Sequence, residues 1–145
     1  MLKRLEYRIE TEEEVKTYLA RLRYAIESGA DIIFQEKRGV DDKRALKYTN
    51  RYTVATLFPD ENPVDVLKRE LMTLTSKDYL RTVKDTRFPN RSEMREFGKT
   101  YDSDEVYIKI RVELASALGT GGHITFVMSF HFAEVSFCEE VFPYK

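Results

Sequence analysis

Two stretches in the C-terminal half alternate between apolar and mostly polar residues, and this alternation constrains the fold more than any other feature. Residues 104–114 carry Val106, Ile108, Ile110 and Val112 at every second position, with Tyr107, Lys109, Arg111 and Glu113 between them. Residues 123–134 carry Phe126, Met128, Phe130 and Phe132, with Thr125, Val127, Ser129 and His131 between them. A period of two marks a half-buried strand. Gly119-Thr120-Gly121-Gly122 separates the two and reads as a hairpin loop. The hairpin must put both apolar sets on one face, because a slip of one residue would bury the polar set. The loop position predicts Tyr107 opposite His131, Lys109 opposite Ser129, Arg111 opposite Val127 and Glu113 opposite Thr125. On the other face it sets Ile108 opposite Phe130 and Ile110 opposite Met128. One face then covers a core. The exposed face displays Tyr107, Lys109, Arg111, Ser129 and His131 together.

Upstream the signals are mostly helical. Thr11 and Glu14 have the spacing of a capping box. Val15, Tyr18, Leu19, Leu22, Ala25 and Ile26 then share one helical face as far as Gly29, which is suited to end a helix. Asn62-Pro63 predicts a second start, with Val66, Leu67 and Leu71 continuing towards Leu74. Thr75 and Asp78 predict a further short helix holding Tyr79, Leu80 and Val83. A short strand is expected over 31–36 and a short helix over 41–48, while 51–58 fits helix and strand equally. Residues 84–93 read as a loop, 95–99 as a short strand and 135–142 as an edge strand. Helices first and strands afterwards predict an α+β fold. The expected architecture is one domain over residues 1–145, with N-terminal helices packed on one face of a small C-terminal antiparallel sheet.

A chain of 145 residues can fold without staples. Its net charge of −1 excludes a protein that is basic throughout but allows a local basic patch. The single Cys138 excludes an internal disulfide framework and points to a reducing compartment. Beside apolar Val135 and Phe137 it reads as a small packed residue. No apolar run is long enough to span a membrane, and residues 1–10 are charged rather than leader-like. A cytoplasmic protein without a membrane partner is expected. His123 and His131 stand roughly 26 Å apart on one strand, so they cannot share an ion. No metal and no cofactor are expected.

The polar hairpin face suits RNA, since strand-borne aromatic and basic side chains stack on bases and hold phosphates. It also suits RNA cleavage without a metal. There a 2′-hydroxyl attacks the neighbouring phosphorus, one group takes a proton, another protonates the leaving oxygen, and cations hold the extra charge. His131 titrates near neutrality and Tyr107 can donate a proton. Arg81, Lys109 and Arg111 supply charge. Residues 81–99 hold six basic residues against three acidic ones. This segment, with Lys84 and Arg91, is either a phosphate-contacting loop or a solvated loop of mixed charge. A polar sheet face that merely meets water has the same pattern, so the residues alone leave that reading open.

Several short pieces resemble the MqsR family of toxin–antitoxin toxins. They are Leu74-Thr75-Ser76-Lys77-Asp78-Tyr79, Phe88-Pro89-Asn90-Arg91 and Phe97-Gly98-Lys99, then Glu105-Val106-Tyr107-Ile108-Lys109-Ile110 and Ser129-Phe130-His131. The resemblance covers the C-terminal half well and the first part only by order of elements. It implies a RelE-like mRNA interferase fold, metal-independent endonucleolytic cleavage of mRNA, and a cognate antitoxin as partner. It carries the family tyrosine onto Tyr107. His131 and Arg81 stand where the family has lysines, and Glu96 lies nearest its glutamine. The candidate catalytic residues are His131, Tyr107, Arg81 and Lys109, and the candidate substrate-binding residues are Arg111, Ser129, Lys84 and Arg91.

Overall fold

The two alternating stretches form the longest strands of a six-stranded sheet in the computed structural model, which describes residues 5–35, 43–114 and 123–145. In chain order the elements are β1 (Leu5–Arg8), α1 (Glu12–Glu27), β2 (Asp31–Phe34), α2 (Asn50–Leu57) and α3 (Pro63–Leu71). They continue with β3 (Tyr79–Asp85), β4 (Met94–Tyr101), β5 (Asp104–Leu114) and β6 (His123–Phe132). The strand order is β1-β3-β4-β5-β6-β2. The fold is therefore α+β. The sheet is mixed rather than purely antiparallel, because β2 runs parallel to β6 while every other described pairing is antiparallel. Both outer strands come from the N-terminal part and are four residues long, too short for alternation to announce them.

Local chemistry sets the helix starts as expected. The Thr11 hydroxyl accepts from the Glu14 backbone at 3.2 Å, and the Glu14 carboxylate accepts from the Thr11 backbone at 3.1 Å. Gly29 follows α1 with φ +84, a conformation glycine adopts without strain. Asn62 Oδ1 accepts from the backbone of Val64 and Asp65, with Pro63 beginning α3. The core joins Val15, Leu19 and Leu22 of α1, Val54 of α2 and Val66, Leu67 and Leu71 of α3 to Phe97, Val106, Ile108, Ile110 and Phe130 of the sheet. Each such side chain contributes roughly 1.5–3 kcal/mol when fully buried.

The β5–β6 pairing begins in the predicted register. Tyr107 faces His131, Ile108 faces Phe130 and Lys109 faces Ser129. The register then shifts at a bulge, so Ile110 faces Val127, Arg111 faces Phe126 and Val112 faces Thr125. The predicted pairs Ile110–Met128, Arg111–Val127 and Glu113–Thr125 are therefore incorrect. One extra residue on β6 reverses its facing, which buries Val127 and Thr125. Asn50 explains how the irregularity is tolerated. It is fully buried, donates to Met128 O at 3.0 Å and to Gln35 O at 2.6 Å, and accepts from Phe130 N at 3.0 Å. Thr53 Oγ1 accepts from Phe132 N at 2.9 Å. Side chains of α2 thus bond the β6 edge beyond the end of β2.

Other segments also depart from expectation. The Thr75–Asp78 cap closes only one 3-10 turn, Ser76–Asp78, and the chain then extends as β3 because Tyr79, Leu80, Thr82 and Val83 are buried in the sheet. Residues 51–58, open in the sequence, fall largely in α2. Over 41–48 the described part includes a 3-10 turn at Leu46–Tyr48, while 41–42 and the Gly-rich loop at 119–122 lie outside the described residues. Residues 135–142 form no edge strand. They hold a 3-10 turn, Phe137–Glu139, and pack over the polar face of the sheet. Cys138 on this segment is exposed, not packed.

Candidate active site

Register places the chemistry-bearing side chains in two adjacent rows across the sheet. In the first row Arg81 of β3 pairs with Glu96 of β4, Glu96 with Lys109 of β5, and Lys109 with Ser129 of β6. In the second row Gly98 pairs with Tyr107, and Tyr107 with His131. Strand alternation puts both rows on one face.

Glu96 is the hub. It is only 3% exposed, and a buried charge needs partners. Arg81 Nη1 donates to it at 2.5 Å and Lys109 Nζ lies 3.9 Å away. The Tyr107 hydroxyl lies within the electrostatic reach of Glu96 as well. Burial and then the Glu96 charge push the Tyr107 hydroxyl far above the usual tyrosine range. Tyr107 is thus a proton donor that stays protonated. Burial works against the Arg81 charge, but Glu96 and Glu140 outweigh it and raise the guanidinium above its ordinary value.

His131 is buried, with its ring centroid 5.3 Å from that of Tyr107. Its Nδ1 lies 2.9 Å from the Phe132 carbonyl oxygen. A carbonyl only accepts, so Nδ1 carries the hydrogen in this bond, and Nε2 is the basic nitrogen of the neutral ring. The expectation of an openly solvated face is therefore incorrect for His131 and Ser129, both nearly fully buried.

The C-terminal segment does the covering. Ala133 N donates to Glu105 O at 2.8 Å and Phe137 N to the Glu105 carboxylate at 3.1 Å. The rings of Phe137 and Phe142 lie over Gly98, where an added Cβ would sit 2.8 Å from each. Only glycine at that position leaves room for both rings at this approach. Glu140 forms an ion pair with Arg81, and Glu134 pairs with Arg44 at 3.1 Å. Tyr144 completes the path by donating to the Glu10 carbonyl and stacking on Tyr79. Between segment and sheet remains a cleft of about 280 Å³, with Tyr107, Lys109, Ser129 and His131 in its lining.

Five predicted residues, Arg81, Tyr107, Lys109, Ser129 and His131, thus share one cluster. Arg111, Lys84 and Arg91 do not join it. Arg111 lies on the same face beyond the cleft, with its guanidinium 4.5 Å from the Phe126 ring centre and its Nε 3.3 Å from Glu113. Burial lowers its pKa. Lys84 donates to the carbonyls of Pro89 and Arg91, which ties down the β3–β4 loop. Arg91 is exposed and sits 3.9 Å over the Phe88 ring. The segment over 81–99 therefore splits, with its two ends supplying Arg81, Glu96 and Gly98 to the cluster and its loop closing on itself. Sequence reasoning missed the roles of Arg44, Glu134 and Glu140, because nothing local announces a segment that folds back over a sheet.

The lining offers a base, a protonated hydroxyl and cations within one partly enclosed cleft. That set is competent for proton transfer beside an anionic phosphorus centre. Among family models, curated proteins and solved structures, none matches this chain.

Proposed function

We propose that this protein is a toxin-like mRNA endonuclease of a toxin–antitoxin system, with an MqsR- or RelE-like fold and a cognate antitoxin as partner. The observation that carries the reading is the arrangement of Arg81, Glu96, Tyr107 and His131. The family resemblance singled out Arg81, Tyr107 and His131 from separate stretches of sequence, with Glu96 only the residue nearest a family glutamine that has no clear counterpart. The four lie side by side on four adjacent strands.

The chemistry follows from the groups present. Nε2 of His131 takes the proton of an RNA 2′-hydroxyl. The bond from O2′ to phosphorus forms as the bond from phosphorus to O5′ breaks. The Tyr107 hydroxyl, kept protonated beside Glu96, protonates the departing O5′. Lys109 and Arg81 hold the charge that gathers on the phosphoryl oxygens. The products are a 2′,3′-cyclic phosphate and a 5′-hydroxyl, and the proton on His131 returns to Tyr107 through water. Ser129 lines the cleft and positions substrate.

The balance of charge favours a second reading, a non-catalytic RNA- or protein-binding module on the same fold. Arg81 and Lys109 are matched by Glu96 and Glu140, so these four groups together carry no formal excess of positive charge.

The test uses purified protein, freed of any co-expressed partner, and a long mixed-sequence RNA in excess EDTA. His131→Ala and Tyr107→Phe are run beside it. Discrete cuts by the wild type, ending in cyclic phosphates and lost in His131→Ala while RNA binding persists, support the enzyme. Intact RNA, both alone and with translating ribosomes, refutes it and leaves the binding module.

A further inference from the structure

We infer that residues 134–142 are an intramolecular occupant of the RNA groove, with the Glu140 and Glu134 carboxylates standing where phosphates of the substrate backbone sit. The inference rests on the ribonucleic-acid reading of the cleft and adds its regulation. The carboxylates of Glu140 and Glu134 meet Arg81 and Arg44, so one short segment brings an anion to Arg44 in the cleft lining and another to Arg81 beside it, on the strand next to Glu96. A planar guanidinium binds carboxylate and phosphate with the same fork of donors. An RNA backbone and this segment therefore compete for the same groups.

With the segment seated, Arg81 is shared between Glu96 and Glu140. Lifting the segment takes the Glu140 carboxylate from Arg81 and the Glu134 carboxylate from Arg44. Each departure makes the cleft one unit more positive. The uncovered state therefore attracts phosphate more strongly than the covered one.

Side chains make much of the seating. Phe137 and Phe142 rest on Gly98, in direct register with Tyr107. Gly98→Val therefore pushes both rings away without altering any charged group of the cluster. Glu140→Gln keeps the shape of the segment and removes one anion.

The experiment measures binding of a labelled single-stranded oligoribonucleotide by anisotropy across a salt series, with hydrogen exchange of the segment recorded in parallel. Glu140→Gln is expected to bind about five- to tenfold tighter than wild type, as removal of a partly screened ion-pair partner allows. Its plot of log affinity against log salt should steepen by about 0.7 for each additional phosphate held. Gly98→Val should bind tighter too, with faster exchange in residues 134–142, and RNA added to wild type should speed exchange there. If Gly98→Val shows the segment released and RNA affinity unchanged, the inference is overturned and RNA binding itself stands. If RNA binds wild type and leaves exchange of the segment unchanged, the inference is also overturned. If the released form binds no RNA at all, this inference and the proposed function fall together. Tighter binding without cleavage keeps the occupant and removes the enzyme. Thermal unfolding of both variants, read against wild type, separates release of the segment from global unfolding.

Discussion

Asn50→Ala tests how β6 is held, and through it how His131 is positioned. The Asn50 side chain makes three hydrogen bonds, to Gln35 O, Met128 O and Phe130 N, from a fully buried site. Alanine leaves all three backbone groups without this partner. A buried polar group left unpaired costs about 1–3 kcal/mol. Gln35 is only half-buried and regains water, so Met128 O and Phe130 N carry most of the penalty. The expected destabilisation is about 2–5 kcal/mol, a large share of the 5–15 kcal/mol typical of a domain. In urea denaturation followed by circular dichroism, with a slope of about 2 kcal/mol per molar, the midpoint should fall by about 1–2.5 M. Asn50→Asp retains the acceptor for Phe130 N but turns carboxylate lone pairs towards two carbonyls, so it should be no more stable than alanine. A loss below about 1 kcal/mol for Asn50→Ala would show that another group or water satisfies the bulge, and Asn50 would not be what holds β6.

Two further predictions concern protons. The raised Tyr107 value means the folded protein binds that proton more tightly than the unfolded chain, so this contribution to stability is complete below about pH 10 and is lost as pH rises beyond it. Tyr107→Phe should flatten the alkaline limb of a stability–pH curve, and an unchanged limb counts against the raising of the Tyr107 hydroxyl by burial and the Glu96 charge. Arg87 holds the Asp85 carboxyl down at about 2, chiefly through side-chain hydrogen bonds. Stability from that pair is present above the ordinary aspartate range and lost as pH falls through about 2. Carbon-detected NMR titration should place the Asp85 midpoint there and return it to the ordinary range in Arg87→Ala.

What the sequence discloses here divides along the range of the forces. The caps at Thr11 and Asn62 are contacts between near neighbours, and they form as their spacing predicts. The pairing of Tyr107 with His131 is legible because alternation and loop position together fix the register at that end. The bulge at the other end is not legible, since the buried Asn50 that bonds around it comes from a distant helix. β3 reads as helix from sequence because the Thr75–Asp78 cap is a true local signal, overruled by the burial of Tyr79 and Val83. The site is legible as a set of residue types on strands. Its covering is not, because Gly98 reads as an ordinary glycine until two rings from the C-terminal segment are placed above it.

The polar cluster is also where the fold departs most from what stability alone favours. Arg81 and Lys109 are drawn together around the buried Glu96 carboxylate. Replacing such a buried ionic group with apolar residues of similar volume is often neutral or stabilising. The strand positions themselves do not demand charge, since Met94 and Val83 on the same strands are buried without it. Local rules of burial are commonly broken at functional sites and compensated elsewhere. Here much of the compensation is visible. Glu140 matches the second cation, Phe137 and Phe142 cover one side, and Gly98 makes room for them. A sheet built only to close a core needs none of these devices. A sheet that holds a base, a hydroxyl and cations side by side in charge balance gains from each of them.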